Sequence, residues 1–541
     1  RFDCILAKKN KEIAQIVEAT SKIKGMTPEK VEEMVKLRCG VPFYNAKCVT
    51  LEDLVGDSDN LDANFLEFIA SYSPSVQKIL KDLKFREEVE FMIKKHILFE
   101  VVKAFSEVDF HPDTTSPIAM GYIFEELIRK FSESYNEEAG AHFTSRDIIY
   151  LMTEVLISPD RERLEREGIT ASVYDMTMGT SQMLDCLSEK LYEIDPDAAL
   201  TEFGQELNEK TFAIAKANML IKGGDANNMK HGNTLSNDMF RGYLFDYIIS
   251  NPPFGIEWKN EKDVVVAEHN TGSVGRFEAG LPAIGDSQQL FVLNGIAKLK
   301  ETGRMAIIQN GSPLFKGDAG SGESNIRGYI LENDWLEAII QIPNDMFYNT
   351  GIATYIWVIT KNKSAARTGK VQLIDASRCS VKRRKPIGNK RNEFTDKCIE
   401  LISRAYNAFT EGTWSDGELV VECKVKDNDE FKYTKVVVEQ PLLDEAGNPV
   451  LKKGKMQPDS SKRDSESIPY LMNIEEYMQK NVYPYAPNAW IDTKKDKVGY
   501  EIPFTREFYK YVAPRSSESI FANLQSLEQQ EQELMTKIMG R

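Results

Sequence analysis

Residues 246–255 read Asp-Tyr-Ile-Ile-Ser-Asn-Pro-Pro-Phe-Gly. An apolar run from Tyr247 to Ser250 stops at a polar residue, two prolines and an aromatic ring. A short, β-branched run bounded by breakers reads as a buried strand. In open α/β sheets ligands bind beyond the carboxyl ends of the strands, so Asn251, Pro252, Pro253 and Phe254 fall where chemistry is expected. Each proline fixes its own φ and restricts the residue before it, which holds Asn251 rigidly. Asn251 then offers a carbonyl acceptor and an amide donor, Pro252 a carbonyl that cannot continue a ladder, and Phe254 a flat apolar face.

Together these groups suit a planar ring carrying an exocyclic amine. Such an amine is a poor nucleophile because its lone pair is delocalised into the ring. Acceptors at Asn251 and at the Pro252 carbonyl would bind both N–H groups and favour pyramidalisation. That stabilisation is greatest when the nitrogen becomes cationic, in the transition state. Inside a duplex the amine is out of reach, so the base must be flipped out and stacked, here on Phe254. Adenine and cytosine both carry an amine of this kind. A rigid strand-ending turn is the plainer alternative for a bare Asn-Pro-Pro.

A methyl donor needs its own site, and residues 173–184, VYDMTMGTSQML, have a fitting shape. An apolar strand ends at Asp175, a small-residue turn follows at Gly179, Thr180 and Ser181, and an apolar helix begins. Gly179 permits close backbone approach to a ligand. Further on, Glu206 ends a second strand, where an acid can take ribose hydroxyls. There is no GxGxxG, which disfavours a dinucleotide. Taken alone, this turn is equally consistent with an ordinary strand–helix connection.

Working outward, residues 1–115 are dominated by helical spacing. Examples are Phe65, Phe68 and Ile69, then Val89, Met92, Ile93, His96 and Ile97. From about residue 116 to 380, strand and helix patterns alternate. Strands are expected at Val173–Met176, Tyr247–Ser250, Arg304–Gln309, Ala338–Ile342, Thr354–Thr360 and Val371–Ile374. This alternation predicts an α/β fold, a Rossmann-like sheet layered by helices. Residues 381–515 form an extension. It opens with a basic run of Lys382, Arg383, Arg384, Lys385, Lys390 and Arg391 that reads first as a solvated loop beyond the last strand. Residues 440–467 are rich in turn formers and read as a flexible excursion. Residues 516–541 predict one helix. Ile520, Leu524, Leu527, Leu534 and Ile538 make a heptad-like seam, interrupted by Glu531, that needs a partner.

The totals set bounds. The chain has 541 residues, 42% hydrophobic and 28% charged, a composition for two to four globular domains. No apolar run is long enough to span a bilayer, and no signal peptide is visible. Seven scattered cysteines without a CxxC pair point to a reduced intracellular protein. Five scattered histidines give no metal-ligand spacing, so no metal is expected. The net charge of −15 is unlike that of a chain that grips DNA unaided. Nucleic acid is then not the ligand, or basic surface is local, or a partner supplies the grip.

The motifs occur in a telling order: AGAHFTSRDIIYLM, YDMTMGTSQML, FGQELNEKTFAIAKANMLIKG, HGNTLSNDMF, DYIISNPPFG, GRMAIIQNGSPLFKG and IPNDMFYNTGIATYIWVITKNK, with NAWIDTKKDKVGYEIPFTREFY near the end. Over most of its length the chain resembles the modification (methyltransferase) subunit of type I restriction–modification systems, which are adenine-specific. The resemblance implies an S-adenosylmethionine-dependent methyltransferase sheet between an N-terminal helical domain and a helical C-terminal tail. It implies transfer of a methyl group from S-adenosyl-L-methionine to adenine N6 in double-stranded DNA, and it favours adenine over cytosine N4. It places Ala141, His142, Phe143, Thr144, Ser145 and Arg146 at the cofactor. Gly179, Thr180 and Ser181 would lie beneath the cofactor, Glu206 on its ribose, and Asn233 and Thr234 near its adenine. Asn251 to Phe254 would be catalytic. It further implies two such subunits on one DNA-reading specificity subunit, with a restriction subunit able to join, in the cytoplasm of a prokaryotic cell. The basic run then becomes a DNA-backbone contact and the C-terminal seam a surface for the specificity subunit.

The chain departs from the family pattern at Met178, at Ser181–Gln182 where a second glycine is usual, and at Ser145 where proline is usual. It begins at Arg1, and the resemblance suggests a missing N-terminal segment. The weakened turn motivates one alternative, a scaffold subunit that binds cofactor without turnover; another keeps the chemistry in a self-sufficient methyltransferase or in one of another phage-defence system.

Overall fold

The computed structural model describes residues 1–115, 119–120, 123, 144–222, 224–511 and 515–539. These fall into two compact units, Arg1–Ile502 and Pro503–Arg541.

The first unit is organised by a ten-stranded sheet. In chain order its strands are β1 Thr170–Asp175, β2 Ala199–Glu206, β3 Met229–His231, β4 Phe245–Ser250, β5 Leu299–Asn310, β6 Leu336–Ile342, β7 Thr354–Thr360 and β8 Lys370–Arg378. A hairpin of β9 Val381–Ile387 and β10 Lys390–Glu393 leaves the sheet, and β11 Gly412–Asp416 and β12 Leu419–Asp427 rejoin it. The spatial order is β11-β12-β8-β6-β7-β5-β4-β1-β2-β3. From β3 across to β5 the pairing is parallel, and β7 runs antiparallel between β5 and β6. The chain builds β1, β2 and β3 to one side, then reverses to β4 and β5 on the other. The crevice at that reversal, between β1 and β4, is where such sheets bind ligands.

Successive side chains on a strand face opposite ways. Val173, Tyr247, Ile249, Ala306, Ile308, Ile340 and Val358 join one core cluster with Ile148, Leu184, Phe212 and Leu401 from helices. The alternate residues Tyr174, Ile248, Met305, Ile307, Ile339 and Trp357 are equally buried. With both faces covered, strands read as continuous apolar runs, which is why six of them are legible in the sequence.

The N-terminal helices behave in two ways. Those at Asn10–Ser21, Pro28–Cys39 and Pro74–Asp82 contribute Ile13, Val35 and Ile79 to the main core, with Pro74–Asp82 packed on the helix Glu209–Ile221. Leu61–Ala70, Phe85–Lys94 and Leu98–Ser106 close a separate small core around Phe65, Phe68, Val89 and Leu98.

One expectation beyond residue 380 is corrected. The basic run is not a loop past the last strand: it is the β9–β10 hairpin, paired at its two ends with a register shift between Lys390 and Asn392, and the sheet extends past it to Asp427. The excursion at residues 440–467 carries pairing of its own. β13 Lys432–Glu439 pairs with β16 Asp464–Pro469, and a small hairpin of β14 Leu451–Lys452 and β15 Lys455–Met456 lies between them. Their glycines, prolines and aspartates serve its turns. The second unit contains the helix Ser517–Met539, on which Ile520, Leu524, Leu527, Leu534 and Ile538 are exposed. Among the described residues no helix is long and apolar enough to cross a membrane.

Candidate functional site: a cleft at the carboxyl edge of the sheet

A cleft of about 500 Å³ opens where β1, β2 and β4 end, a size suited to a small-molecule ligand. Its first wall is the turn after β1. Gly179 takes φ +54°, a conformation L side chains disfavour. Its N–H donates to Glu206 Oε2 at 2.9 Å, and the other oxygen of Glu206 accepts from the Asn208 N–H at 2.8 Å. The acid ending β2 is therefore pinned toward the turn. Met178 is accommodated from β2: a Cβ on Gly204 would lie 2.2 Å from the Met178 sulfur and 3.1 Å from its Cβ.

The second wall begins at Asp175. It is fully buried, and its Oδ1 accepts from the Ser250 hydroxyl at 2.6 Å and the Thr177 N–H at 3.0 Å. Its Oδ2 has no partner among the described residues. Burial pushes its pKa up to about 7; the bonds from Ser250 and Thr177 oppose this and do not outweigh it. Thr234 closes the same side, its hydroxyl donating to the Met176 carbonyl at 2.6 Å. Asn233 folds into a turn, its carbonyl accepting from the Leu235 and Ser236 N–H groups and its amide donating to Glu261 at 2.9 Å.

At the end of β4, Asn251 Nδ2 donates to Thr144 Oγ1 at 2.8 Å, while Asn251 Oδ1 is closed off from solvent and has no partner among the described residues. Among the described residues no hydrogen bond reaches the Pro252 carbonyl. Phe254 is half-buried, and Phe347 meets it edge-on with centroids 5.9 Å apart. A rigid acceptor pair beside an aromatic face can hold an amine on a planar ring.

The cleft brings together Thr144, Asp175, Gly179, Thr180, Glu206, Asn233, Thr234 and Asn251 to Phe254. Three further residues that the resemblance sets at the cofactor are buried. The Ser181 hydroxyl accepts from Asn218, Ser145 occupies the N-cap position of the helix Arg146–Ile157 with no capping bond from its side chain, and the Arg146 guanidinium donates to the Tyr150 hydroxyl and the Cys186 sulfur. None of the three lines the cleft. Ala141, His142 and Phe143 lie outside the described residues. Sequence reasoning missed Gln182, Trp258, Phe291, Asn310 and Phe347 as cleft residues. Asn310 carried a usable signal, because it ends an apolar strand as Asn251 follows one.

The basic hairpin also divides. Lys382, Arg384, Lys385 and Arg391 are exposed, and Arg383 pairs with Glu393. Lys390 is corrected: it is 1% exposed, and its ammonium bonds both oxygens of Asp147 and the Met346 carbonyl at 2.9–3.1 Å, which removes it from any external surface. Among the described residues no cluster of three or more His, Cys, Asp or Glu could hold a metal.

Residues 116–445 match the N-6 DNA Methylase family, well over half of the chain. The type I restriction enzyme MjaIX methylase subunit of Methanocaldococcus jannaschii is 25% identical over 339 residues, 62% of this chain and 57% of the relative. The type I restriction enzyme MpnII methylase subunit of Mycoplasma pneumoniae is 28% identical over 302 residues, 54% and 51% of the two chains. The chain thus spans just over half the length of these relatives. The fold is shared with a type I restriction–modification methyltransferase subunit from Streptococcus thermophilus, at a TM-score of 0.61 and 21% identity, covering 79% of this chain and 90% of that one. By that family match, this chain belongs to the N-6 DNA methylase family.

Proposed function

We propose that this chain is the modification subunit of a type I restriction–modification complex and methylates N6 of a flipped-out adenine in double-stranded DNA. The observation that carries the reading is Asn251 Oδ1, an unpartnered acceptor beside the Pro252 carbonyl at the end of β4. Asn251 Oδ1 accepts one N–H of the target amine and the Pro252 carbonyl accepts the other. The ring stacks on Phe254, which Phe347 backs. These bonds strengthen as the amine pyramidalises, so they act mainly in the transition state. The methylated ammonium is strongly acidic and loses its proton to water, so no side-chain base is required.

S-adenosyl-L-methionine fits the remaining wall and supplies the electrophilic methyl group when bound. Asp175 Oδ2 is an orphaned buried acceptor suited to a cationic group, the Gly179–Thr180 turn allows close approach, and Glu206 lies at the ribose position. Asn233 and Thr234 close the side toward its adenine.

The exposed cations Lys382, Arg384, Lys385 and Arg391 contact the DNA backbone beside the cleft, a placement contact without sequence information. A separate specificity subunit chooses the site and binds two copies of this chain through the exposed seam of Ser517–Met539. A restriction subunit can join the complex, which works in a prokaryotic cytoplasm. The test is transfer of labelled methyl groups to unmodified genomic DNA by the chain alone and with its specificity subunit, followed by digestion to nucleosides. N6-methyladenine only in the mixture is expected. N4-methylcytosine, or no product in either, would overturn the reading.

A further inference from the structure

We infer that Thr144 is a positioning residue for Asn251, holding its amide so that the carbonyl faces the target amine; the inference rests on the amino-methyltransferase reading. Thr144 and Asn251 are 107 residues apart in the chain and meet at 2.8 Å, amide nitrogen to hydroxyl oxygen. Thr144 is buried, 8% exposed. A primary amide has a donor end and an acceptor end, and only one of its two orientations is useful here. Turned over, Asn251 would point its NH₂ at another N–H donor, and the substrate amine would be repelled. In the observed orientation the Thr144 hydroxyl takes the donor end, and Oδ1 stays free for the incoming amine. Each orientation leaves one amide atom unpartnered before substrate arrives, but only the observed one leaves an atom that a substrate N–H can satisfy.

Thr144 is itself held from a distance. It precedes Ser145, the cap of the helix Arg146–Ile157, whose carbonyl accepts from Ile148 and Ile149. Asp147, in the first turn, is gripped by the Lys390 ammonium and by the Phe394 N–H at 2.9 Å. Lys390 also bonds the carbonyl of Met346, next to the Phe347 ring that backs Phe254. One buried ammonium thus ties together the start of the Thr144 helix and the wall behind the stacking ring. The ribbon that supplies it also carries Lys382, Arg384 and Lys385. This gives Thr144 a role other than the cofactor contact that the resemblance implies for it.

The experiment compares Thr144→Val and Thr144→Ser with the parent chain, each assembled with its specificity subunit. It measures kcat at saturating DNA and S-adenosylmethionine, KM for both, and the Kd for S-adenosylhomocysteine by calorimetry. Thr144→Val should lower kcat about 10- to 100-fold, because a buried amide donor loses its acceptor. The S-adenosylhomocysteine Kd should stay within about twofold, which also reports that the variant is folded. Thr144→Ser keeps the hydroxyl and should recover kcat to within about threefold. Unchanged kcat in Thr144→Val would overturn the inference, and so would a tenfold weaker S-adenosylhomocysteine Kd with kcat retained, which would return Thr144 to the cofactor. A parent complex that makes no N6-methyladenine would sink the functional reading and the inference with it.

Discussion

Asp175 on β1 and Glu337 on β6 are both buried carboxylates of one sheet, and they resolve burial in opposite ways. Glu337 is met by Arg304 from β5, by Arg367 and by the Tyr406 hydroxyl of the helix Asp396–Ala408. Burial alone would raise its pKa, but the two guanidiniums outweigh burial and hold it below the ordinary carboxylate range. Asp175 has no cation against it: one oxygen takes two neutral donors and the other takes none. Burial therefore wins and its pKa rises to about 7. The paired acid knits strands together, whereas the unpaired one is a buried charge waiting for a partner. A buried acid with a strongly raised pKa in a cleft is a candidate functional group.

The largest effect should come from breaking the paired acid. Glu337→Ala leaves Arg304 and Arg367 buried without their counter-charge, which costs about 3–5 kcal/mol of folding stability in comparable cases. Urea melts of the two chains measure it, and a loss under about 1 kcal/mol would mean that the knot is not what joins β5, β6 and the covering helix. The pH slopes of the two acids are opposite. Glu337 has a depressed folded pKa, so its stabilisation is present above the unfolded value of 4.5 and is lost as pH falls through the depressed value. Asp175 has a raised one, so its contribution is intact below 3.8 and is lost as pH rises through about 7. Asp175→Asn should accordingly gain stability relative to the parent at pH 8 and not at pH 3.

At the cleft, function and stability separate. Asn251→Ala should reduce methylation about 10²- to 10³-fold or more, the scale seen when one transition-state hydrogen-bonding group is removed. Its melting should match the parent's, and S-adenosylhomocysteine binding should stay within about twofold. Methylation retained above a few per cent would sink the role given to Asn251.

How much of this could be read from the chain depended on how locally each feature is encoded. Thr354–Thr360 is legible to the residue because β7 is buried on both faces and must be apolar throughout. β12, with the sequence LVVECKVKD, is only half-buried and carries charge, so nothing in it announces a sheet strand. The β9–β10 hairpin is held by backbone pairing and by the Asp345 and Tyr348 carbonyls, which leave no apolar pattern. Within it, no local property singles out Lys390 for burial, since Asp147 is 243 residues away. The Asn-Pro-Pro-Phe turn was legible because its stiffness and its acceptors lie in four consecutive residues. Its supports, Thr144 and Phe347, come from distant parts of the sequence, and their contacts have no local signature.

Phe254 gives a smaller effect. If it stacks on a flipped base, Phe254→Ala should weaken capture of that base by about 1–3 kcal/mol, as at other aromatic platforms. Binding of the assembled complex to intact duplex and to duplex with a mismatched target base would measure it. The loss should be seen on both substrates, because stacking is lost whether or not flipping is easy. A loss on intact duplex alone would mean that Phe254 helps to open the helix and does not hold the base.

The comparison sharpens last at the proton of Asp175. If a cationic group of S-adenosylmethionine partners Oδ2, the carboxyl must ionise to receive it. An acid titrating at about 7 is roughly one-tenth ionised at pH 6 and nine-tenths at pH 8. Apparent affinity scales with the competent fraction, so the Kd for S-adenosylhomocysteine, which keeps the amino-acid ammonium, should tighten about tenfold between those values. Calorimetry in buffers of different ionisation enthalpy should detect a proton released on binding near pH 7, which a purely conformational effect would not require. Asp175→Asn should bind more weakly at pH 8 and lose the dependence. If the parent's Kd were flat from pH 6 to 8 and no proton were released, the charge on Asp175 would not be what receives the cofactor. Its unpartnered oxygen would then belong to the same structural class as Glu337, a buried acid without the arginines.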